Sequence, residues 1–307
     1  MNYRMIGEKY SCSTLCFGTA TFVSGKLFPN KDSELGILSL QTALNNGINF
    51  IHSNPKLMTQ WAIKEVLNNN PQYSVYHVIK VECPLDTDEY QMKAIFDRII
   101  SLSKNNLGID NIHVIIYEID VKKTKRIALL NDSYTIKRHF NRVREIFEFF
   151  RDKNDVDLLF CMCHNPTEMK TAIESKCFDG FAAYFNFLNT WPHRFFDKIY
   201  NASKDFIGVR PLAQGLLSDK NFYKIQTKNE KLSAILKSLR KEMNIFIQAL
   251  SIKFTLSHPV VKSVIVGMNK PQHVEQLVEA AKHPLSLERY KKILKMTVTG
   301  KNADIRS

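Results

Sequence analysis

The sequence predicts a closed (β/α)8 TIM barrel of the α/β class, on three observations. Short apolar runs alternate with longer amphipathic stretches along nearly the whole chain. The apolar runs are continuous rather than alternating, as strands buried on both faces of a parallel sheet require. No linker rich in Gly, Pro or Ser breaks the rhythm, so the 307 residues are expected to form a single domain, 1–307, rather than two.

The expected strands are Leu15–Thr19, Phe50–Ser53, Tyr76–Lys80, Ile112–Tyr117, Asp157–Met162, Gly180–Ala183, Phe206–Val209 and Ser263–Val266. Between them the 3.6-residue spacing of apolar positions predicts helices. The first two are Ser33–Asn46, stopped by Gly47, and Glu89–Leu107, stopped by Gly108. They are followed by Lys137–Asn154, Pro166–Ser175, Trp191–Ser203, Leu232–Leu256 (one helix or two in succession) and Pro271–Ala281. A last helix, 285–298, is expected to pack outside the barrel. Phe147, Phe149 and Phe150 read as the face that clamps the long fourth helix to the barrel. Two longer loops, Val121–Tyr134 after strand four and Pro211–Lys231 after strand seven, fall on the C-terminal face, where barrels of this class carry their sites.

Apolar content of 44% and charged content of 24% suit a globular chain with a sizeable core. The start Met1-Asn2-Tyr3-Arg4-Met5 lacks the apolar run of a signal peptide, and no later stretch approaches a membrane span. Cysteines at 12, 16, 83, 161, 163 and 177 show no regular spacing, so reduced thiols and a cytoplasmic location are expected. The net charge of +13 gathers at Lys122–Arg126, at Lys137–His139 with Arg142 and Arg144, and at Lys237–Lys241. Such a field steers anionic ligands toward the protein. Lys enrichment spread over solvated helix faces accounts for the same composition. No nucleic-acid motif accompanies the charge, and neither a nucleic-acid nor a membrane partner is expected.

Three segments carry the functional information: Ile48–Met58, Val78-Ile79-Lys80 and Leu107–Glu118. With Leu15–Thr19, Phe185-Asn186, Pro211–Leu217 and Val266–Lys270, they resemble in order the strand ends and loops of aldo-keto reductases, from about residue 10 to about 281. In that family an Asp, a Tyr, a Lys and a His reduce carbonyls with NADPH, the tyrosine donating the proton and the lysine–aspartate pair tuning it. The matching positions here are His52, Leu57, Lys80 and Glu118. An aliphatic side chain cannot donate a proton, and a histidine is no permanent anion for an ammonium. The replacements therefore imply a site unequipped for the family's usual reduction, with Lys80 and Glu118 expected as an ion pair and His52 beside them.

The resemblance implies NADP as cofactor, but its two ends match unequally. The phosphate end is kept in Pro211, Leu212, Gln214 and Gly215, and in Gly267, Asn269 and Lys270 before a helix N-terminus. Asn186 keeps the place of an asparagine that follows strand six. At the nicotinamide end the matching residues are Phe160, Met162, Cys163 and Ala182, and the adenine-contacting positions are His273 and Leu277. Turn geometry alone also accounts for Gly215 and Gly267. Tyr117 is expected to point away from the cavity, since neighbours along a strand face opposite ways. Cys161 and Cys163 share one strand face, but no ligand pair at metal spacing follows, so no metal is expected.

The leading expectation is a degenerate aldo-keto reductase-like barrel, a pseudoenzyme binding a small anionic metabolite or a protein partner. Two alternatives stay open. One is an NADP-dependent oxidoreductase with a rearranged proton donor. The other is an acid-base isomerase or lyase acting on an anionic sugar-like metabolite through Lys80, Glu118 and His52.

Overall fold

The continuous apolar runs pair side by side because each can bury both faces only between neighbours and a helical layer. The computed structural model describes residues 1–20, 31–221 and 230–298. It closes eight parallel strands into a barrel: β3 (Leu15–Gly18), β4 (Phe50–Ser53), β5 (Tyr76–Cys83), β6 (Ile112–Ile119), β7 (Val156–Met162), β8 (Gly180–Tyr184), β9 (Asp205–Val209) and β10 (Val261–Gly267). Neighbours follow chain order, and β10 pairs with β3 to complete the ring.

Alternate residues along each strand point inward. Cys16, Phe50, Val78, Val114, Ile116, Leu158, Phe160, Ala182, Ile207 and Ile265 fill the barrel as one cluster. An antiparallel hairpin that sequence reading missed, β1 (Tyr3–Ile6) with β2 (Tyr10–Ser13), adds Ile6, Tyr10 and Cys12 to that cluster and plugs the N-terminal end. Gly180 is required by the same packing: a Cβ there would meet the Phe160 ring at 2.2 Å. Outward residues such as Ile79, Val81, Tyr117 and Cys161 meet the helices in a second, larger cluster.

Most helices fall near their expected bounds. Glu89–Leu107 runs from an Asp88 cap, whose side chain accepts from Gln91 N at 2.8 Å, to Gly108 at φ 70°. The fourth long helix is Ser133–Arg151, starting earlier than expected because Asp132 caps it through Tyr134 N. Phe147 and Phe150 are buried against the core, whereas Phe149 is 38% exposed, with Lys93 and Lys153 over its ring. Trp191–Ser203 divides into a 3-10 turn, Trp191–Phe195, and a short α-helix, Phe196–Asn201. Leu232–Leu256 is two helices, Glu230–Met243 and Ile247–Thr255. Gln60–Asn68, after β4, is a helix too short for its periodicity to stand out in the sequence. The final helix, Leu287–Val298, packs on Glu230–Met243, and its Tyr290 ring lies 5.1 Å from that of Phe254. Part of the expected Pro211–Lys231 loop, residues 222–229, lies outside the described residues. Among those described, no helix is long and apolar enough to cross a membrane.

Candidate active site

The C-terminal mouth of the barrel is built by strands that run further than expected. β5 continues to Cys83 and β6 to Ile119, so their inward alternation carries past Val78 and Ile116 to Lys80, Glu82 and Glu118. Glu82 and Glu118 are register partners on neighbouring strands. Two carboxylates so placed repel unless cations lie between them. Lys80 supplies one: its Nζ is 2.6 Å from Glu82 Oε1 and also pairs with Glu118 Oε2. Lys56, from the turn after β4, reaches Glu82 Oε2 at 2.6 Å. His164, two residues past the end of β7, places Nε2 2.9 Å from Glu118 Oε1. The result is one chain of charges, Lys56–Glu82–Lys80–Glu118–His164.

Each pKa shift follows from that chain. Burial raises carboxyl pKa values, but Lys56 and Lys80 outweigh it at Glu82 and hold the carboxyl down at about 2. At Glu118 burial is likewise overcome, by His164 and Lys80, and the pKa falls. Burial works against the Lys80 ammonium, yet Glu118 and Glu82 raise its pKa. Burial works against the His164 imidazolium most strongly, yet the Glu118 hydrogen bond together with the charges of Glu118 and Glu168 raises its pKa. His52 lies close enough to feel Lys80, Glu118 and Glu82. Enclosure by protein, then the Lys80 charge, push its pKa down to about 4, so it is neutral at pH 7, although it retains some accessible surface. Lys80, Glu118 and His52 thus meet in the mouth. Sequence reading missed Glu82, Lys56 and His164; continuing the two-residue alternation beyond Lys80 would have found Glu82.

A phenol is also present. Tyr184, at the inward-facing end of β8, lies edge-on to His164 with ring centroids 5.7 Å apart, and the Arg210 guanidinium sits 4.3 Å over its ring. Burial raises its pKa; Glu118 and Glu82 add to that, while Arg210 and Lys80 oppose it. Leu57 closes a 3-10 turn, Pro55–Leu57, and offers no polar atom. Tyr117 faces the helical layer, fully buried and hydrogen-bonded to His139 Nε2.

The expected phosphate-binding residues lie on two segments. Arg210, Ala213, Gln214 and Gly215 all adopt positive φ, at 53°, 46°, 56° and 86°. A Cβ on Gly215 would meet nothing within 4 Å, so backbone conformation and not crowding asks for glycine there. Pro211 O accepts from Ser251 Oγ at 2.5 Å, and Leu212 packs on the core. Gly267 ends β10 opposite Gly18, and Asn269 and Lys270 are exposed just before the helix Pro271–Lys282. Lys270 is the cap residue of that helix and gives it no side-chain hydrogen bond; its carbonyl accepts from His273 N and Val274 N and Pro271 has no N–H, so Gln272 N–H is the amide of the first turn left to an anion. Asn186 ties to the start of the first segment: it is 3% exposed, accepts from Leu188 N and Asn189 N, and donates to Arg210 O. Its amide fixes the loop. At the nicotinamide end, Phe160 fills the barrel against Gly180 and Cys163 turns outward into the helical core. The two phosphate-end segments thus keep turns that can take up an anion, whereas Phe160 and Cys163 present no polar atom to the mouth.

The profile of the Aldo/keto reductase family matches residues 14–297. No match is found among curated proteins. Among solved structures the chain resembles an aldo-keto reductase from Bacillus halodurans in its holo form, at 16% identity and TM-score 0.73, over 99% of this chain and 97% of that one. It also resembles the glycerol dehydrogenase of Gluconobacter oxydans, at 15% identity and TM-score 0.74, over 99% and 97% of the two chains. An aldo-keto reductase from Klebsiella pneumoniae in complex with NADPH aligns at 15% identity and TM-score 0.74, over 100% and 99%. At such identities the structural likeness speaks for the fold.

Proposed function

The chain belongs to the aldo/keto reductase family, and from that premise we propose a barrel that binds a small anionic metabolite and does not perform the family's phenol-and-lysine carbonyl reduction. The observation that carries this reading is the engagement of Lys80. Its ammonium is shared between Glu82 and Glu118, and the position matching the proton-donating phenol is the aliphatic Leu57. A lysine held by two carboxylates has its charge compensated and is no acid for an alkoxide. Among the described residues the mouth also carries more cations than anions: Lys56, Lys80 and Arg210, with His164 when protonated, against Glu82 and Glu118. That excess favours a carboxylate or phosphate group.

NADP is retained in this reading only at its phosphate end, along Pro211–Gly215 and Gly267–Lys270. Bound there, the dinucleotide would be a ligand; the chemistry it supplies to the family is hydride transfer. The test is paired. NADPH oxidation is followed with a panel of aldehydes and ketones, and thermal unfolding is followed with sugar phosphates, sugar acids and their neutral parents. The expected result is no turnover above the protein-free rate, and a rise in Tm with anionic compounds only. Turnover that Tyr184→Phe abolishes would overturn the reading in favour of an oxidoreductase with a rearranged donor.

A second reading rests on the His164 Nε2–Glu118 Oε1 pair at 2.9 Å, an imidazole oriented by a carboxylate as proton-transfer sites require. It makes the mouth an isomerase or lyase site for the same anionic compounds. Deuterium uptake from solvent at a carbon next to the substrate carbonyl, lost in Glu118→Gln, would favour it over simple binding.

A further inference from the structure

Just behind the mouth, the outward face of β7 carries a cluster that the site above does not use. Cys161 and Cys163 are fully buried, and their sulfurs lie 3.6 Å apart. A carboxylate oxygen of Glu168, from the helix Pro166–Ser175, lies with both sulfurs inside a span of 4.8 Å. Glu168 is only 3% exposed. Its Oε2 accepts from His164 N at 2.9 Å, an arrangement close to a capping box begun by Asn165, whose side chain accepts from Glu168 N. Capping accounts for one oxygen. The other, Oε1, is buried with no hydrogen-bond partner. An orphaned carboxylate oxygen beside two thiols in an apolar layer costs free energy that helix capping does not offset.

We propose that Cys161, Cys163 and Glu168 bind a thiophilic divalent cation of the zinc type. The sulfur separation decides among soft ions. Tetrahedral coordination at Zn–S bonds of about 2.3 Å places two thiolates about 3.8 Å apart, close to the 3.6 Å found; a linear two-thiolate ion needs about 4.6 Å. One sulfur pair on a strand and one carboxylate on the next helix come together because residues two apart share a strand face and the β7–helix connection is short. Binding replaces two S–H bonds by metal–thiolate bonds and releases both protons to solvent. Three protein ligands are one fewer than structural zinc sites use, so the ion exchanges with chelators instead of being locked in. The site is independent of the proposed function, although the His164 N–H on Glu168 joins it to the residue that holds Glu118.

Cobalt(II) is the probe, added to the full chain after chelator treatment and thiol reduction under anaerobic conditions. The expected result is one equivalent bound, with a thiolate-to-cobalt charge-transfer band that Zn2+ displaces and at least two protons released per ion. Cys161→Ser and Cys163→Ser each abolish the band, and Glu168→Gln weakens affinity at least roughly tenfold, the loss that even an outer-shell partner's removal brings. The wild-type titration is decisive even where a variant does not fold. Absence of a thiolate band in the reduced wild-type chain overturns the proposal, as does a band that survives in both serine variants. Recovery of a Cys161–Cys163 disulfide that takes up no cobalt once reduced would also overturn it.

Discussion

Lys80 between two carboxylates makes a quantitative prediction about shared charge. Replacing Glu118 by Gln removes one anion but leaves Glu82 Oε1 at 2.6 Å from the ammonium. Replacing Glu82 by Gln leaves Glu118 in the same way. Each single change keeps an amide oxygen as acceptor and relieves the Glu82–Glu118 repulsion across their register pair. Each is therefore expected to cost about 1 kcal/mol, the net value of an ordinary hydrogen bond. The double variant leaves the ammonium without an anion, in a setting where Lys80 is 24% exposed. An uncompensated charge so placed costs about 3–5 kcal/mol. The coupling between the two sites is thus about 1–3 kcal/mol, well above the few tenths expected of independent positions. Urea unfolding at pH 7, followed by the fluorescence of Trp61 and Trp191, measures all three variants. Strict additivity would refute the shared arrangement. So would a Glu118→Gln variant as unstable as the double, since Glu82 would then belong to Lys56 alone.

Three further outcomes follow from the same geometry. Glu82, held at about 2 in the folded chain against about 4.3 in an unfolded one, contributes stability that is fully present above pH 4–5 and is lost as pH falls toward 2. Glu82→Gln should therefore flatten the acid limb of a stability–pH curve, and an unchanged limb would count against the pairing with Lys56 and Lys80. Gly180→Ala drives a methyl into the Phe160 ring and should cost about 1–3 kcal/mol in urea unfolding; a neutral result would mean that the barrel interior is looser than described. Tyr117→Phe leaves His139 Nε2 buried without its phenol and should cost about 1–3 kcal/mol without altering ligand binding at the mouth, whereas altered binding would show that this outward pair is coupled to the site.

Residue order alone specifies the barrel and the positions that match the family's catalytic four. Continuous apolar runs at regular intervals have few ways to bury both faces, and a closed parallel ring is the one that needs no linker. His52, Leu57, Lys80 and Glu118 could be placed because each lies within a recognisable run of neighbours. Residues whose role depends on what faces them were not legible. Glu82 lies two residues past the expected end of its strand, His164 lies in the connection between Met162 and Pro166, and the loop bonds of the Asn186 amide appear only in the folded chain. Tyr184 and Arg210 are far apart in the chain and meet only because β8 and β9 are barrel neighbours. Glu168 joins Cys161 and Cys163 only when the helix folds back on its strand. Local pattern is written in the order of residues, whereas charge compensation and ligand clusters depend on distances across the barrel, which only strand register and closure decide.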